Sequence, residues 1–252
     1  ERPNWPHGVR YRNSSITAMN NHHLIVGSHE RLVRVEPDGT KVWDSIHAMW
    51  QLDNSTGEIS MPISLGDFRP KLLNDDGVMV GHTAQGTVVY YGLDPAGTPI
   101  VEPLPTLAGY DYSDPMSISQ NGEWVAGRAE AYVEGSGWYF EACVWNVPTG
   151  TVQGLGTLSR KGWNGSSVAT GVNDQGQVIG WSDTGRRVPN TAFLWEGESL
   201  IDLNDLADSG SLKLIRAAAI SNDGRIIGIL RDSRASEQRG FLLVPIPDSG
   251  NP

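Results

Sequence analysis

One repeated phrase limits what this chain can fold into. It reads most clearly as Ala169-Thr170-Gly171-Val172-Asn173-Asp174-Gln175-Gly176-Gln177-Val178-Ile179-Gly180, an apolar run, a polar stretch and a second apolar run closed by glycine. Asn, Asp and Gly tolerate the positive φ that a close reversal demands. Val178 and Ile179 carry the β-branched side chains that a pleated, half-buried surface favours. The phrase therefore predicts strand, tight turn and strand. It recurs at 72–81, 117–126 and 219–228, and again at 18–27 with His23 where the turn glycine should stand. Copies spaced by roughly 50 residues point to a solenoid, a propeller or an array of small units.

The text between copies fills out four-stranded units. The second unit places a third strand at 87–91 and a fourth near Ile100 and Val101, where Pro103 and Pro105 confine it to an edge. The third has Ala142-Cys143-Val144-Trp145-Asn146, the fourth Ala192-Phe193-Leu194-Trp195 followed by Leu200-Ile201-Asp202-Leu203, and a helical turn is expected at 203–206. Unit five has a third strand at 240–244 and no fourth strand of its own. The economical reading is all-β: a single domain over 1–252, a five-bladed β-propeller of four-stranded antiparallel blades at about 14–65, 70–107, 115–158, 166–206 and 214–246. Residues 8–12, a short alternating run, would close the ring as the missing strand of the last blade. An open solenoid would want polar capping units, and none is written here.

Composition narrows the partners. The high content of Gly (30) and Pro (15), with 19% charged residues, suits strands and turns over long helices. A net charge of -10 disfavours nucleic acid, whose phosphates nothing here would neutralise in bulk. No apolar run approaches the ~18 residues of a membrane helix. The single Cys143 excludes an internal disulfide framework and reads as a small core residue. The Asn-Asp-x-Gly turns lack the alternating carboxylates of a calcium loop, the histidines are scattered, and neither a P-loop, a dinucleotide fingerprint nor a nucleophile elbow is present. No metal and no cofactor is expected, and a monomer is.

The stretch Thr191-Ala192-Phe193-Leu194-Trp195, continued by Leu200-Ile201-Asp202-Leu203-Asn204-Asp205-Leu206 and Ala218-Ala219-Ile220-Ser221-Asn222-Asp223-Gly224, resembles the bacterial extracellular HAF repeat family. That family is named for a His-Ala-Phe tripeptide, and here Thr191 stands in the His position. The resemblance is good over 165–246 and looser over 14–160. It implies an exported, propeller-like repeat protein, extracellular or periplasmic, and supplies no catalytic residues. A first residue Glu1 is compatible with a removed export signal.

In a propeller, loops entering the innermost strands and loops joining strands two and three share one face. Here those loops differ from unit to unit: Asp67-Phe68-Arg69, then Tyr110-Asp111-Tyr112-Ser113-Asp114, the stretch 132–140 with Trp138 and Tyr139, Trp163 and Asn164, and Arg186-Arg187. Aromatic rings beside carboxylates and amides suit a sugar, whose C–H faces stack on rings while polar groups fix its hydroxyls. The candidate ligand-binding residues are thus Asp67, Arg69, Tyr110, Asp111, Tyr112, Asp114, Trp138, Trp163, Asn164 and Arg187. Because no polar set repeats in every unit, one asymmetric site is expected on that face near the axis, taking an extracellular glycan. Two other classes compete. A propeller-type glycoside hydrolase would need carboxylates converging from different blades, and of Asp67, Asp111 and Asp114 two share one loop. A structural scaffold would recognise a protein through the same loops. The glycines at 154–156 read as no more than an edge strand.

Overall fold

The computed structural model describes residues 11–135, 137–159, 165–184, 190–207, 210–232 and 237–246. They form five antiparallel sheets, each an up-and-down meander in chain order. The first holds β1 (Tyr11–Met19), β2 (Leu24–Val35), β3 (Lys41–Gln51) and β4 (Ile63–Ser64). The second holds β5 (Arg69–Leu73), β6 (Met79–Thr83), β7 (Gly86–Leu93) and β8 (Pro99–Pro103). The third holds β9 (Tyr112–Ile118), β10 (Trp124–Val133), β11 (Gly137–Asn146) and β12 (Thr151–Gly156). The fourth holds β13 (Ser167–Val172), β14 (Val178–Asp183), β15 (Asn190–Glu196) and β16 (Ser199–Asp202), followed by the expected helical turn α1 (Leu203–Leu206). The fifth holds β17 (Leu212–Ile220), β18 (Ile226–Asp232) and β19 (Gln238–Leu243).

Backbone contacts divide the chain into two compact units, Glu1–Pro103 and Leu104–Pro252. In the first, Val26, Leu65, Phe68, Met79, Val88 and Tyr90 form the core between the two sheets. Phe68, read from sequence as a loop residue, is fully buried and stacks on Tyr90 with ring centroids 5.3 Å apart. In the second unit the fourth sheet is the middle layer. Val178, Phe193 and Trp195 pack on Ala126 and Val144 of the third sheet, and Ile179 and Leu194 pack on Leu214, Ala217 and Ile226 of the fifth. A sheet covered on both faces must be apolar on both, so β13 to β15 read as nearly unbroken apolar runs.

The glycine that closes each phrase has a steric cause. Each first strand carries a one-residue bulge, between Ile16 and Ala18, Pro70 and Leu72, Pro115 and Ser117, Ala169 and Gly171, and Ala217 and Ala219. The bulge pushes a carbonyl oxygen over the second strand. A Cβ at Gly27, Gly81, Gly127, Gly180 or Gly228 would sit 2.0–2.2 Å from the carbonyl oxygens of Ser15, Arg69, Asp114, Val168 and Arg216 respectively. Only a residue without Cβ fits there.

The turns obey one rule. The first residue's side-chain oxygen accepts from the backbone N–H at the start of the following strand: Asn20 from Leu24, Asn74 from Val78, Ser119 from Trp124, Asn173 from Gln177 and Ser221 from Arg225. His23 adopts a positive φ, 62°, as Gly77, Gly122, Gly176 and Gly224 do at 71–82° in the other copies. Turns of successive sheets are also bonded to one another. Asn21 N–H donates to Asp75 at 2.9 Å in the first unit. In the second, Asn121 N–H donates to the Asp174 carboxylate at 2.8 Å and Asn222 Nδ2 donates to its other oxygen at 2.5 Å.

The last sheet has three strands among the described residues. Of the segment expected to complete it, Tyr11 and Arg12 pair instead with Arg31 and Glu30 of β2, extending the first sheet. Residues 8–10 lie outside the described residues.

Candidate functional site

The third sheet departs from its neighbours in the length of its central hairpin. β10 and β11 pair over ten residues, from Trp124↔Asn146 to Val133↔Gly137. The reversal is made by glycine, with Gly135 at φ 80° and Gly137 at φ 91°. The run 128–133 keeps a two-residue alternation, and the pairing simply continues along it. Tyr132, Trp138 and Tyr139, expected in a loop, are therefore strand residues.

Opposed residues of paired strands share a face, and the register sorts the candidates onto two faces. One face carries Tyr112, Glu130 and Phe140 in a row, with Asp114 and Arg128 on one side and Tyr132 and Trp138 on the other. Arg128 is held there on three sides. Its Nε lies 2.8 Å from Glu130, a terminal nitrogen lies 3.4 Å from Asp114, and its guanidinium carbon stands 4.6 Å from the centre of the Phe140 ring. Burial, with the Asp114 and Glu130 charges behind it, raises the Tyr112 hydroxyl above its ordinary pKa. Tyr132 and Trp138, each 57% exposed, meet edge to face at 5.5 Å.

The other face leads into a cleft of about 510 Å³. Ala131, Tyr139 and Glu141 line it from β10 and β11, Tyr110 from the segment before β9, and Gly156 from the end of β12. Glu141 is the chemical centre. One carboxylate oxygen accepts from the Tyr110 hydroxyl, and the other accepts from the Gly156 N–H at 3.1 Å. The carboxylate reaches over β12 at a position where Gly154 has no side chain, and a Cβ there would meet Glu141 Oε1 at 2.4 Å. Burial and then the Glu141 carboxylate push the Tyr110 pKa far up, so the phenol stays protonated and donates. Further down the same face of β11, burial does the same to the Cys143 thiol.

The sequence-derived residues thus separate. Tyr110 lines the cleft. Tyr112, Asp114 and Trp138 occupy the opposite face of the same sheet, and Asp111 sits at their border, exposed, accepting from Tyr132 N–H at 3.3 Å. Asp67 and Arg69 belong to the first compact unit, exposed at the turn into β5. Trp163, Asn164 and Arg187 lie outside the described residues. Glu141 was missed, although a carboxylate within Tyr139-Phe140-Glu141-Ala142-Cys143-Val144-Trp145 breaks an apolar strand and is a signal in itself. The edge strand expected at 154–156 is β12, and its glycines contribute to the cleft as well: Gly154 makes room for the carboxylate and Gly156 bonds it.

No family model and no curated protein matches the sequence. Among solved structures the chain is similar to the β-propeller domain of the Trilobed protease from Pyrococcus furiosus, at 12% identity and a TM-score of 0.45 over 92% of this chain and 83% of that one. It is similar to a dipeptidyl aminopeptidase IV candidate from Bacteroides ovatus at 11% identity and a TM-score of 0.45, over 98% of this chain and 43% of that one, less than half of that protein's length. It is also similar to hydrazine synthase from Kuenenia stuttgartiensis at 12% identity and a TM-score of 0.39, over 87% of this chain and 80% of that one. Likenesses this distant say nothing of activity.

Proposed function

We propose that the five sheets are the blades of one β-propeller of the exported HAF-repeat kind, and that the protein is an extracellular binding module that takes a glycan in the cleft of its third blade. Two features support the architecture. Every sheet is a meander in chain order, and within each compact unit successive sheets pack face to face. The observation that carries the function is the Glu141 carboxylate, fixed between the Tyr110 hydroxyl and the Gly156 N–H inside a cleft that Tyr139 also lines. A preset acceptor beside aromatic surface is what a sugar requires, and its orientation is already set before the ligand arrives.

The site belongs to one blade. Register aligns Glu141 with Ile46, Gly86, Thr191 and Arg239, two residues before the partners of the strand-two glycines. No other blade carries a carboxylate at this position, so one site per chain is the expected stoichiometry. Glu141 is also the one carboxylate lining the cleft among the described residues. Glycoside hydrolysis normally needs two, which favours binding over cleavage. The test is calorimetric titration of a panel of soluble oligosaccharides against the wild type, Glu141→Gln and Tyr139→Ala. One site, weakened about tenfold or more in both variants, is expected. About five equivalent sites, or affinity indifferent to both substitutions, would refute the reading. The competing scaffold reading draws on Tyr132 and Trp138, exposed together on the opposite face. Complete failure of glycan binding, with a protein partner lost in Trp138→Ala, would favour it.

A further inference from the structure

We propose that the saccharide taken by this cleft carries a protonated primary amine. The inference rests on the cleft being the glycan site and adds the ligand's charge. Its starting point is a contrast between two sets of carboxylates on one sheet. On one face, Asp114 and Glu130 share the Arg128 guanidinium. On the other, Glu141 has two bonded partners, the Tyr110 hydroxyl and the Gly156 N–H, and both are neutral. No Lys, Arg or His lines the cleft among the described residues. Tyr110 cannot alter this balance, since its raised pKa keeps it an uncharged donor throughout the physiological range.

A carboxylate offers about four acceptor positions, and two are taken among the described residues. The remaining ones point a ligand donor at a negative charge that no cation among the described residues of the cleft compensates. A neutral hydroxyl donating there gains an ordinary hydrogen bond. An ammonium gains a charge-assisted one, roughly twice as strong, in a half-enclosed cleft where screening by water is reduced. The Tyr110 and Tyr139 rings favour the same ligand, because an ammonium is drawn to an aromatic face. The long-range field agrees: a chain of net charge -10 attracts cations and repels uronic or sialic acids. The small residues Gly109, Ala131 and Gly165 along the walls leave room for a ring bearing the amine.

The experiment compares two ligands that differ at the nitrogen alone. Oligomers of glucosamine and of N-acetylglucosamine, equal in length, are titrated at a pH where the amine is protonated and carboxylates are ionised. Wild type, Glu141→Gln and the distant surface control Glu123→Gln are measured, with near-ultraviolet circular dichroism to establish that each is folded. The expected result is about a tenfold preference of wild type for the glucosamine oligomer. That preference collapses in Glu141→Gln, survives in Glu123→Gln, and fades as the amine is titrated to its neutral form. A preference for the N-acetylated oligomer, or equal binding, overturns the inference and leaves the glycan reading standing. A preference for the amine that persists in Glu141→Gln assigns it to the general acidity of the chain and equally overturns the inference. Binding of neither oligomer, nor of any saccharide in the wider panel, overturns both.

Discussion

Replacing Gly180 by Ala tests the account of why the repeated phrase ends on glycine. The added methyl would stand 2.0 Å from the Val168 carbonyl oxygen and 2.7 Å from Phe193 Cζ, where ordinary contact begins near 3.4 Å. The obstruction on one side is backbone, held by the β13–β14 ladder, and on the other a fully buried ring. Reaching ordinary contact requires the backbone to move by more than an ångström and the buried ring by about 0.7 Å. Overpacking of this kind costs about 1–3 kcal/mol, and distorting the adjoining ladder adds about 1 kcal/mol for each hydrogen bond lost. A total of about 3 kcal/mol or more is therefore expected. With a urea dependence of about 2 kcal/mol per molar, the midpoint falls by about 1.5 M. Gly240→Ala is the matched control, since its nearest obstruction is the Gly228 carbonyl oxygen at 3.9 Å. It is expected to be neutral or to stabilise by a few tenths to about 1 kcal/mol through the unfolded chain. Urea unfolding followed by tryptophan fluorescence reports both, because Trp181 and Trp195 sit in the same sheet. If the two variants unfold within about 0.5 kcal/mol of each other, the close approach is not what demands glycine, and the argument fails.

Two further predictions concern titration. Burial, and then Glu141, hold the Cys143 thiol protonated in the folded chain; the unfolded thiol ionises near pH 8.5. Native protein is expected to resist iodoacetamide at pH 8.5 and to react on addition of denaturant, and stability should decline as pH rises past that value, because the unfolded state releases the proton first. Rapid labelling of the native chain would contradict the burial. In the first compact unit the sign is opposite. Burial, assisted by Arg31 for His29 and by Arg69 for His47, lowers both imidazole pKa values, so the unfolded state takes up protons first on acidification. Stability should be full above about pH 6.5 and fall below it. His47→Gln should reduce that dependence in thermal melts recorded between pH 5 and 7.5, and an unchanged profile would refute it.

The residues show which parts of this molecule a sequence can express. Secondary structure and repeat were legible because their causes are local: Gly176 and Gly224 are needed where φ is positive, and Val178 and Ile226 where a strand turns apolar side chains into the core. The closing glycines were visible, and their cause was not, because the carbonyl that excludes a side chain belongs to a bulge in another strand. Asp174 reads as turn chemistry for the same reason. Nothing local says that its carboxylate joins Asn121 to Asn222 across two sheet boundaries. The site shows this most sharply. Reasoning from loops found Tyr110, because an aromatic residue between turns stands out. It grouped Tyr110 with Tyr112 and Asp114, but Tyr110 precedes β9 and lines the cleft, while Tyr112 and Asp114 lie within β9 on the other face of the sheet. It passed over Glu141, Gly154 and Gly156, which lie on strands. The cleft of this sheet is centred on a carboxylate placed where an apolar strand predicts none, above a glycine where an edge strand predicts a side chain. Each is a local departure from pattern, and the pair has meaning only once β11 is laid beside β12. A charged residue inside an apolar strand facing glycines on the next strand is therefore the signal to seek in other blades of this kind.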